Sequence, residues 1–225
     1  KSTSRTASRS GDVVAHARES FRNCPMTADP QNAAKTSITW ALKEWAAVCE
    51  AIAAGRQTIL LRKGGIHERG GVFAPDHEAV WLFPPHFHQD ERQLSIDGRS
   101  FLQRARDVQS ESKLIQFLEH VEVIDVMEIR CEELLPRFRP YHIYADQVLA
   151  DRFHYRRPGL TMMIVRASAT SPPVIIVDSP HFGGCRSWVD LPGEIETQDL
   201  QPVLDDAEFE RTRREIRRAA TPPTT

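Results

Sequence analysis

A basic, glycine-rich segment is the first candidate for binding chemistry. Arg62-Lys63-Gly64-Gly65 follows the apolar run Thr58–Leu61, and Glu68 lies just beyond it. Glycines let backbone amides approach a ligand closely, while arginine and lysine supply charge for a phosphate or carboxylate. The spacing does not match the P-loop pattern G-x-x-x-x-G-K-[ST]. The segment therefore predicts an anion site, and the alternative is a glycine hairpin with solvated basic residues.

Two histidines form the second candidate. If the chain is extended there, His86 and His88 point to the same face, and the shell of a metal could be completed by His77, Glu78 and Glu68. Two histidines at this spacing are also common without any metal. We therefore predict no resident cofactor, keep His86 and His88 as the only metal candidates, and interpret His88 with Gln89 as a polar pair that lines a pocket.

A third stretch resembles a nuclease strand in its order of charges. In Asp125-Val126-Met127-Glu128-Ile129-Arg130 two acids precede a basic residue. Restriction-type nucleases use a lysine at the last position, and arginine cannot give up its proton as a base. A Mg²⁺-dependent nuclease or phosphodiesterase with Glu68, His88 and Asp125 as catalytic residues is therefore an alternative hypothesis. The simpler interpretation is a strand with a charged outer face.

Arginines interleaved with aromatic residues form the fourth candidate. Arg152, Arg156 and Arg157 flank His154 and Tyr155. Such a mixture can grip phosphates and stack on bases. Arginines that close the end of a helix would explain the same pattern.

Two of these features and a further stretch, Arg186-Ser187-Trp188, are predicted to meet in one cleft. Arg62-Lys63-Gly64-Gly65, His88-Gln89 and Arg186-Ser187-Trp188 each lie at the start or end of a short apolar run. Strand ends of one sheet tend to meet at one rim, where loops carry binding groups. With Trp188 as its floor and few carboxylates nearby, this cleft should prefer a phosphate of a nucleotide or nucleic acid.

The composition limits the classes of protein that could carry such a site. The chain has 225 residues, is 40% hydrophobic and has a net charge of -2, which excludes wholesale disorder and a globally basic nucleic-acid coat protein. No apolar run approaches the ~20 residues of a membrane span. The four cysteines are scattered without a C-x-x-C pair, which favours a reducing, cytoplasmic setting.

Helices and strands are predicted from apolar periodicity. Ile38–Ala54 has apolar residues at steps of three and four, which predicts a helix. The other predicted helices are Ile96–Val108, Ser112–His120, Ala145–Phe153 and Asp206–Arg218. The predicted strands are Thr58–Leu61, Val80–Phe83, Val121–Ile129, Leu160–Val165, Val174–Val177 and Ser187–Val189.

These elements predict an α+β fold with one domain over residues 36–218. Strands and helices alternate without a βαβ rhythm, which favours a mixed sheet of short strands with flanking helices. Residues 1–35 are a basic Ser/Thr/Arg-rich stretch without an apolar period, and we expect them to be a disordered tail. Residues 219–225 are expected to be a second disordered tail.

Three stretches together resemble the bacterial domain-of-unknown-function family 1802. They are Ala41-Leu42-Lys43-Glu44-Trp45-Ala46 with Leu60–Ile66, Leu82-Phe83-Pro84 with His88-Gln89, and Gly184–Val189 with Pro202-Val203-Leu204. This family has no established activity. Some relatives occur beside restriction-endonuclease-like domains, so the resemblance implies a DNA-handling, defence or restriction-modification context.

The sequence leaves three functions open. The favoured hypothesis is an anion-binding module that associates with nucleic acid or nucleotide and uses Arg62, Lys63, Arg152 and Arg186. The alternatives are the metal-dependent nuclease and a small-ligand sensor with the same pocket. Whether the protein is an enzyme is not predicted.

Overall fold

The computed structural model describes residues 37–63, 75, 77–85, 89–109, 113–184, 186–197 and 199–221. These residues belong to one compact unit, Lys35–Thr225. They form one mixed sheet with flanking helices, so the predicted α+β class is confirmed. The predicted tail 1–35 lies outside the described residues.

The described elements follow one another in a mixed order. The strands are β1 (Ser37–Lys43), β2 (Ile59–Arg62), β3 (Ala79–Phe83), β4 (Leu114–Ile129), β5 (Leu160–Val177), β6 (Trp188–Glu196) and β7 (Gln201–Pro202). The α-helices are α1 (Ala46–Ala53), α2 (Arg99–Gln109), α3 (Asp146–His154) and α4 (Asp206–Ala219). Shorter 3-10 helices span Glu91–Gln93, Glu132–Tyr141 and Pro180–Phe182.

The sheet curls until its flanks approach each other. Its strand order is β2-β5-β4-β3-β1-β6, and β7 pairs with β5. Strands β1 and β3 are parallel, whereas the other pairs are antiparallel. Three strands separate β2 from β1 in this order, yet Arg62 at the end of β2 bonds to the carbonyl of Lys43 at the end of β1. This contact between the ends of β2 and β1 positions the candidate site.

The predicted helix Ile38–Ala54 is wrong in its first half. Residues Ser37–Lys43 form β1, which pairs with β3 and β6, and helix α1 begins only at Ala46. Positions four residues apart share a face in a helix and also in a strand. The spacing of Ile38 and Leu42 in the sequence therefore does not distinguish the two structures, and the neighbouring strands decide between them. In the structure a register shift between Ile38 and Trp40 places Ile38 and Leu42 in different apolar clusters.

Two further expectations along the β4–β5 ribbon are wrong. The predicted helix Ser112–His120 is the first part of β4 from Leu114 onward, where Ile115 and Phe117 alternate into the core. The predicted strands Leu160–Val165 and Val174–Val177 are one strand, because β5 continues through Pro172 and Pro173. The register with β4 shifts nearby, between Phe117 and Glu119, and prolines are tolerated at such irregular edge positions.

Apolar side chains form two clusters. The larger one packs α1 against β2, the first half of β5 and the 3-10 segment around Phe138. The smaller one contains Trp81, Phe83, Phe117 and Phe182, and the rings of Phe83 and Phe182 lie 5.1 Å apart. Among the described residues, the helices are too short or too polar to cross a membrane.

Candidate anion-binding site

The end of β1 is the point where two of the predicted stretches meet. The Lys43 amide donates a hydrogen bond to the Ser187 carbonyl at 2.8 Å, and the Lys43 carbonyl accepts one from Arg62 Nη1 at 3.1 Å. Arg62 and Ser187, which are distant in sequence, therefore flank the same residue. Curling of the sheet brings them together, since β2 and β6 are its two outermost strands in the main order.

Arg62 is paired with a buried carboxylate. Its Nη1 lies 2.8 Å from Glu44 Oε2, and the Glu44 side chain is only 2% exposed. The other oxygen, Glu44 Oε1, accepts the backbone N–H of Trp45 at 2.9 Å. The expectation that few carboxylates lie near the basic residues is therefore wrong at Arg62. Glu44 belongs to the first family-like stretch, but its assignment to a helix concealed this role.

Arg152 lies against two aromatic rings beside this pair. Its guanidinium carbon is 4.5 Å from the ring centre of Trp45 and 4.7 Å from that of Tyr144. Trp45 and Tyr144 meet edge to face at 5.6 Å, and burial raises the pKa of the Tyr144 phenol. We call Glu44, Trp45, Arg62, Tyr144 and Arg152 the inner cluster.

Lys63 binds backbone carbonyls next to the inner cluster. Its amino group donates to the carbonyls of Phe153 at 3.1 Å, Gly159 at 2.6 Å and Arg157. These carbonyls lie between the last turn of α3 and the start of β5. Burial and the nearby charge of Arg157 lower the pKa of Lys63. Lys63 thus joins the end of β2 to the end of α3.

The rest of the arginine-aromatic segment is exposed. Tyr155 is 54% exposed, and the Arg156 guanidinium lies 5.1 Å from its ring centre. His154 is also exposed but has an acidic partner, because its Nε2 lies 2.8 Å from a Glu132 carboxylate oxygen. This segment therefore offers an accessible aromatic ring with a cation above it.

The remaining predicted donors have individual partners. The side-chain oxygen of buried Gln89 accepts the Ala47 amide at 3.2 Å, in the first turn of α1. Arg186 donates to the His181 carbonyl at 2.9 Å, and half-buried Trp188 meets His77 edge to face at 5.4 Å. Outside the described residues lie Gly64, Gly65, Glu68, His86 and His88.

The acids of the nuclease-like stretch are engaged by arginines. Asp125 accepts from Arg213 Nε at 2.6 Å and from Arg217 Nη1 at 3.5 Å, both on α4. Glu128 pairs with Arg130 at 2.7 Å. Asp125 and Glu128 are an odd number of residues apart in one strand, so they point to opposite faces. Within the described ranges, no group of three or more His, Cys, Asp or Glu side chains could hold a metal ion.

An open cleft of about 580 Å³ lies on the other side of Lys43. Its polar lining includes Lys43, Lys113, Asp178 and Ser179. The Lys43 amino group donates to the Gly184 carbonyl at 3.0 Å. Its apolar lining is Phe83, Pro85, Ile115, Pro180 and Phe182, and we call all these residues together with Gly183 and Gly184 the open cleft.

Sequence reasoning did not select the two lysines of the open cleft. Lys43 lies in a family-like stretch, but the predicted helix Ile38–Ala54 puts it inside a helix and not at the end of a strand. Lys113 precedes β4 in a region also expected to be helical. A correct strand assignment would have placed both residues at the end of a strand, where binding groups commonly lie.

Comparisons with known proteins find one family model and several solved structures. A comparison with curated proteins finds no match. Among solved structures, the crystal structure of ASCH from Zymomonas mobilis is 11% identical, with a TM-score of 0.40 over 78% of this chain and 93% of that chain. Two mutants of that protein give TM-scores of 0.41 at 10% and 11% identity, over 78% of this chain and 94% and 96% of theirs. A family model described as Domain of unknown function (DUF1802) matches residues 41–215.

Proposed function

The chain belongs to the DUF1802 family, and we propose that it is an anion-binding module whose ligand is the phosphate of a nucleotide or nucleic acid. The observation that carries this proposal is the open cleft, where Lys43 and Lys113 line a space of about 580 Å³. Ligand pockets of this kind commonly measure about 300–1,000 Å³.

The charges of the open cleft favour an anion. The lining of the open cleft contains two lysines, Lys43 and Lys113, and one carboxylate, that of Asp178. Lysine is a common phosphate ligand because its ammonium group is a compact charge with several donors. The Ser179 hydroxyl adds a further donor at the same wall.

The apolar lining suits the rest of a nucleotide. Pro85, Pro180 and Phe182 lie beside the lysines and present carbon surface to the cleft. A nucleoside has a flat apolar face that packs on such surfaces while its phosphate binds a cation. An inorganic anion alone would leave this surface unused, so we favour a nucleotide unit as the ligand.

A binding experiment with a charge-reversal variant tests the proposal. Fluorescence anisotropy would be measured with a labelled mononucleotide, a single-stranded DNA and an RNA of the same sequence, each at several salt concentrations. For Lys113→Glu we expect affinity to fall at least about tenfold. The slope of log affinity against log salt concentration should decrease by the amount that corresponds to about one phosphate contact. Since the Lys113 side chain is exposed, the fold should be retained.

Arg214→Glu is the matched control. Arg214 is exposed on α4 and is not part of the lining of the cleft, so binding should remain at the wild-type level. If both variants weaken binding equally, binding depends on the net charge of the protein and not on the open cleft, which would overturn the proposed site. Absence of binding to all three probes would overturn the function. Cleavage of the DNA or RNA with Mg²⁺ or Mn²⁺ would replace it with the nuclease hypothesis.

A further inference from the structure

Within the described part of the chain, the outer edge of β5 lacks a neighbouring strand near its end. Strand β4 pairs with β5 along one side as far as Val177. On the other side, β2 pairs with Thr161–Ile164 and β7 with Ser168–Ala169. Among the described residues no strand pairs with this side of Val174–Val177. The segment therefore presents a free edge, which is an established site for pairing with another chain.

The direction of the backbone groups at this edge follows from one hydrogen bond. The Asp178 amide donates to the Lys113 carbonyl at 2.6 Å, so Asp178 faces β4. Backbone groups alternate in direction along a strand. Val174 and Ile176 therefore also bond toward β4, whereas the N–H and C=O groups of Ile175 and Val177 point outward.

The side chains of the same two residues are exposed. Ile175 is 55% and Val177 67% exposed, and they share one face because they are two residues apart. Leu114, opposite Val177 on β4, is 41% exposed on that face. Soluble proteins usually protect a free edge with charges, but Val174–Val177 contains only branched apolar residues.

We propose that this edge pairs with the same edge of a second copy of the chain. An antiparallel pair with its two-fold axis at Ile176 places Ile175 of each copy opposite Val177 of the other. All outward N–H and C=O groups of these residues then bond across the interface, and the exposed branched side chains meet on one face.

Other symmetric registers satisfy the edge less well. With the axis at Ile175, Val177 would face Pro173, which has no N–H to donate. With the axis at Val177, Ile175 would face Ser179, which lies beyond the end of β5. The segment is therefore complementary to itself in one register. That self-complementarity favours a second copy over an unrelated peptide.

A single engineered cysteine tests this register. In the proposed dimer, Ile176 of one copy lies opposite Ile176 of the other copy in a non-hydrogen-bonded pair, where the two Cα atoms lie about 4.5 Å apart. A disulfide needs about 4.4–6.8 Å. Mild oxidation of Ile176→Cys should therefore give a covalent dimer in non-reducing electrophoresis.

Two controls are matched to this variant. Oxidised wild-type protein accounts for the native cysteines, including exposed Cys131. Ile175→Cys introduces a thiol one residue away; in the proposed register its Cα lies more than about 7 Å from the Cα of residue 175 in the second copy, so this variant should not form the disulfide and should run as a monomer in non-reducing electrophoresis. Cross-linking of Ile175→Cys without that of Ile176→Cys would overturn the register.

Sedimentation velocity tests the dimer without any cross-link. The wild-type protein should show a concentration-dependent dimer, and Val177→Lys should shift it to monomer because the lysines would meet apolar side chains. Val126→Lys is the control, since Val126 is 48% exposed on β4 away from this edge, and it should dimerise as the wild type does. A wild-type protein that is monomeric throughout, or an unaffected Val177→Lys variant, would overturn the proposal.

Discussion

The inner cluster and the open cleft both contain basic side chains, but their environments differ. In the inner cluster, Arg62 pairs with buried Glu44, and Arg152 packs on two aromatic rings. In the open cleft, Lys113 is exposed and lines a space that a ligand can enter. Lys43 connects the two regions, because its carbonyl accepts from Arg62 while its amino group lies in the cleft.

This difference separates structural cations from those that can bind a ligand. A buried cation must be compensated inside the protein, since desolvation of an unpaired charge is expensive. An exposed lysine keeps its hydration until a ligand replaces it. Arg62 should therefore act mainly on stability, whereas Lys113 should act mainly on binding.

The largest effect is expected from Arg62→Ala. The substitution leaves the Glu44 carboxylate buried without its cation, and loss of one partner from a buried pair typically costs about 3–5 kcal/mol. Urea denaturation followed by circular dichroism should show that decrease in the free energy of unfolding. An unchanged midpoint of urea denaturation would show that water replaces the arginine and that the pair does not stabilise the fold. Arg62 would then be grouped with the cations that can bind a ligand.

A double variant separates charge from packing at the same place. Glu44→Gln with Arg62→Met removes both charges and retains similar volumes, so it should lose less stability than Arg62→Ala alone. Replacement of a buried ion pair by neutral residues is often close to neutral in stability. If the double variant is the less stable one, the pair itself contributes the stabilising energy.

The second effect is a pH dependence that originates beside the inner cluster. His142 is buried, and its Nδ1 accepts the Tyr144 amide at 3.2 Å. Burial, followed by the charge of Arg56, lowers the pKa of His142 to about 4. An unfolded histidine has a pKa of about 6.5, so between these values the unfolded chain binds more protons than the folded one.

Stability should therefore fall as pH decreases from about 6.5 to about 4, by about 3 kcal/mol in full. Buried Glu119 acts with the opposite sign, because desolvation raises its pKa to about 8, and its contribution is lost as pH rises. Denaturation curves of wild type and His142→Asn at several pH values isolate the histidine. Parallel pH profiles for the two proteins would contradict this assignment.

Local sequence patterns predicted a large part of the fold. Strands β2 and β3 and helices α2, α3 and α4 lie close to their expected positions because their periodicity and flanking residues are unambiguous. Strand β1 was missed because a spacing of four residues fits both a strand and a helix. Only its pairing with β3 and β6 decides the outcome, and that pairing involves distant residues.

The candidate site shows the same limit. The sequence indicates that Arg62 ends a strand, and the structure places it there. Its contacts with Glu44 and Lys43 depend on the approach of the end of β2 to the end of β1, which no local pattern encodes. Residue type alone therefore suggested an anion site at Arg62, whereas the three-dimensional contact with a carboxylate gives it a structural role.

A smaller effect on stability is expected from Lys63→Met. The substitution removes an ammonium group that donates to carbonyls at the end of α3 and the start of β5. Hydrogen bonds to charged groups contribute about 1.5–3 kcal/mol, and access of water at this half-buried site places the loss at about 2 kcal/mol. Hydrogen exchange should show faster opening of the last turn of α3, and Lys63→Arg should restore part of the protection. Unchanged exchange in Lys63→Met would mean that solvent already satisfies these carbonyls.

The smallest effect on stability is expected from Lys113→Met. The Lys113 side chain is exposed, and its contribution to the fold comes from its backbone carbonyl, which accepts the Asp178 amide. Surface substitutions of this kind usually change the free energy of unfolding by less than about 0.5 kcal/mol. The same variant should weaken binding of a labelled nucleotide. Arg62→Ala should therefore have the larger effect on stability, and Lys113→Met the larger effect on affinity. Urea denaturation and anisotropy measured on one preparation of each variant test this reversal. A loss of stability in Lys113→Met as large as that in Arg62→Ala would remove the distinction between the two regions, because the cleft lysine would then be a structural cation as well.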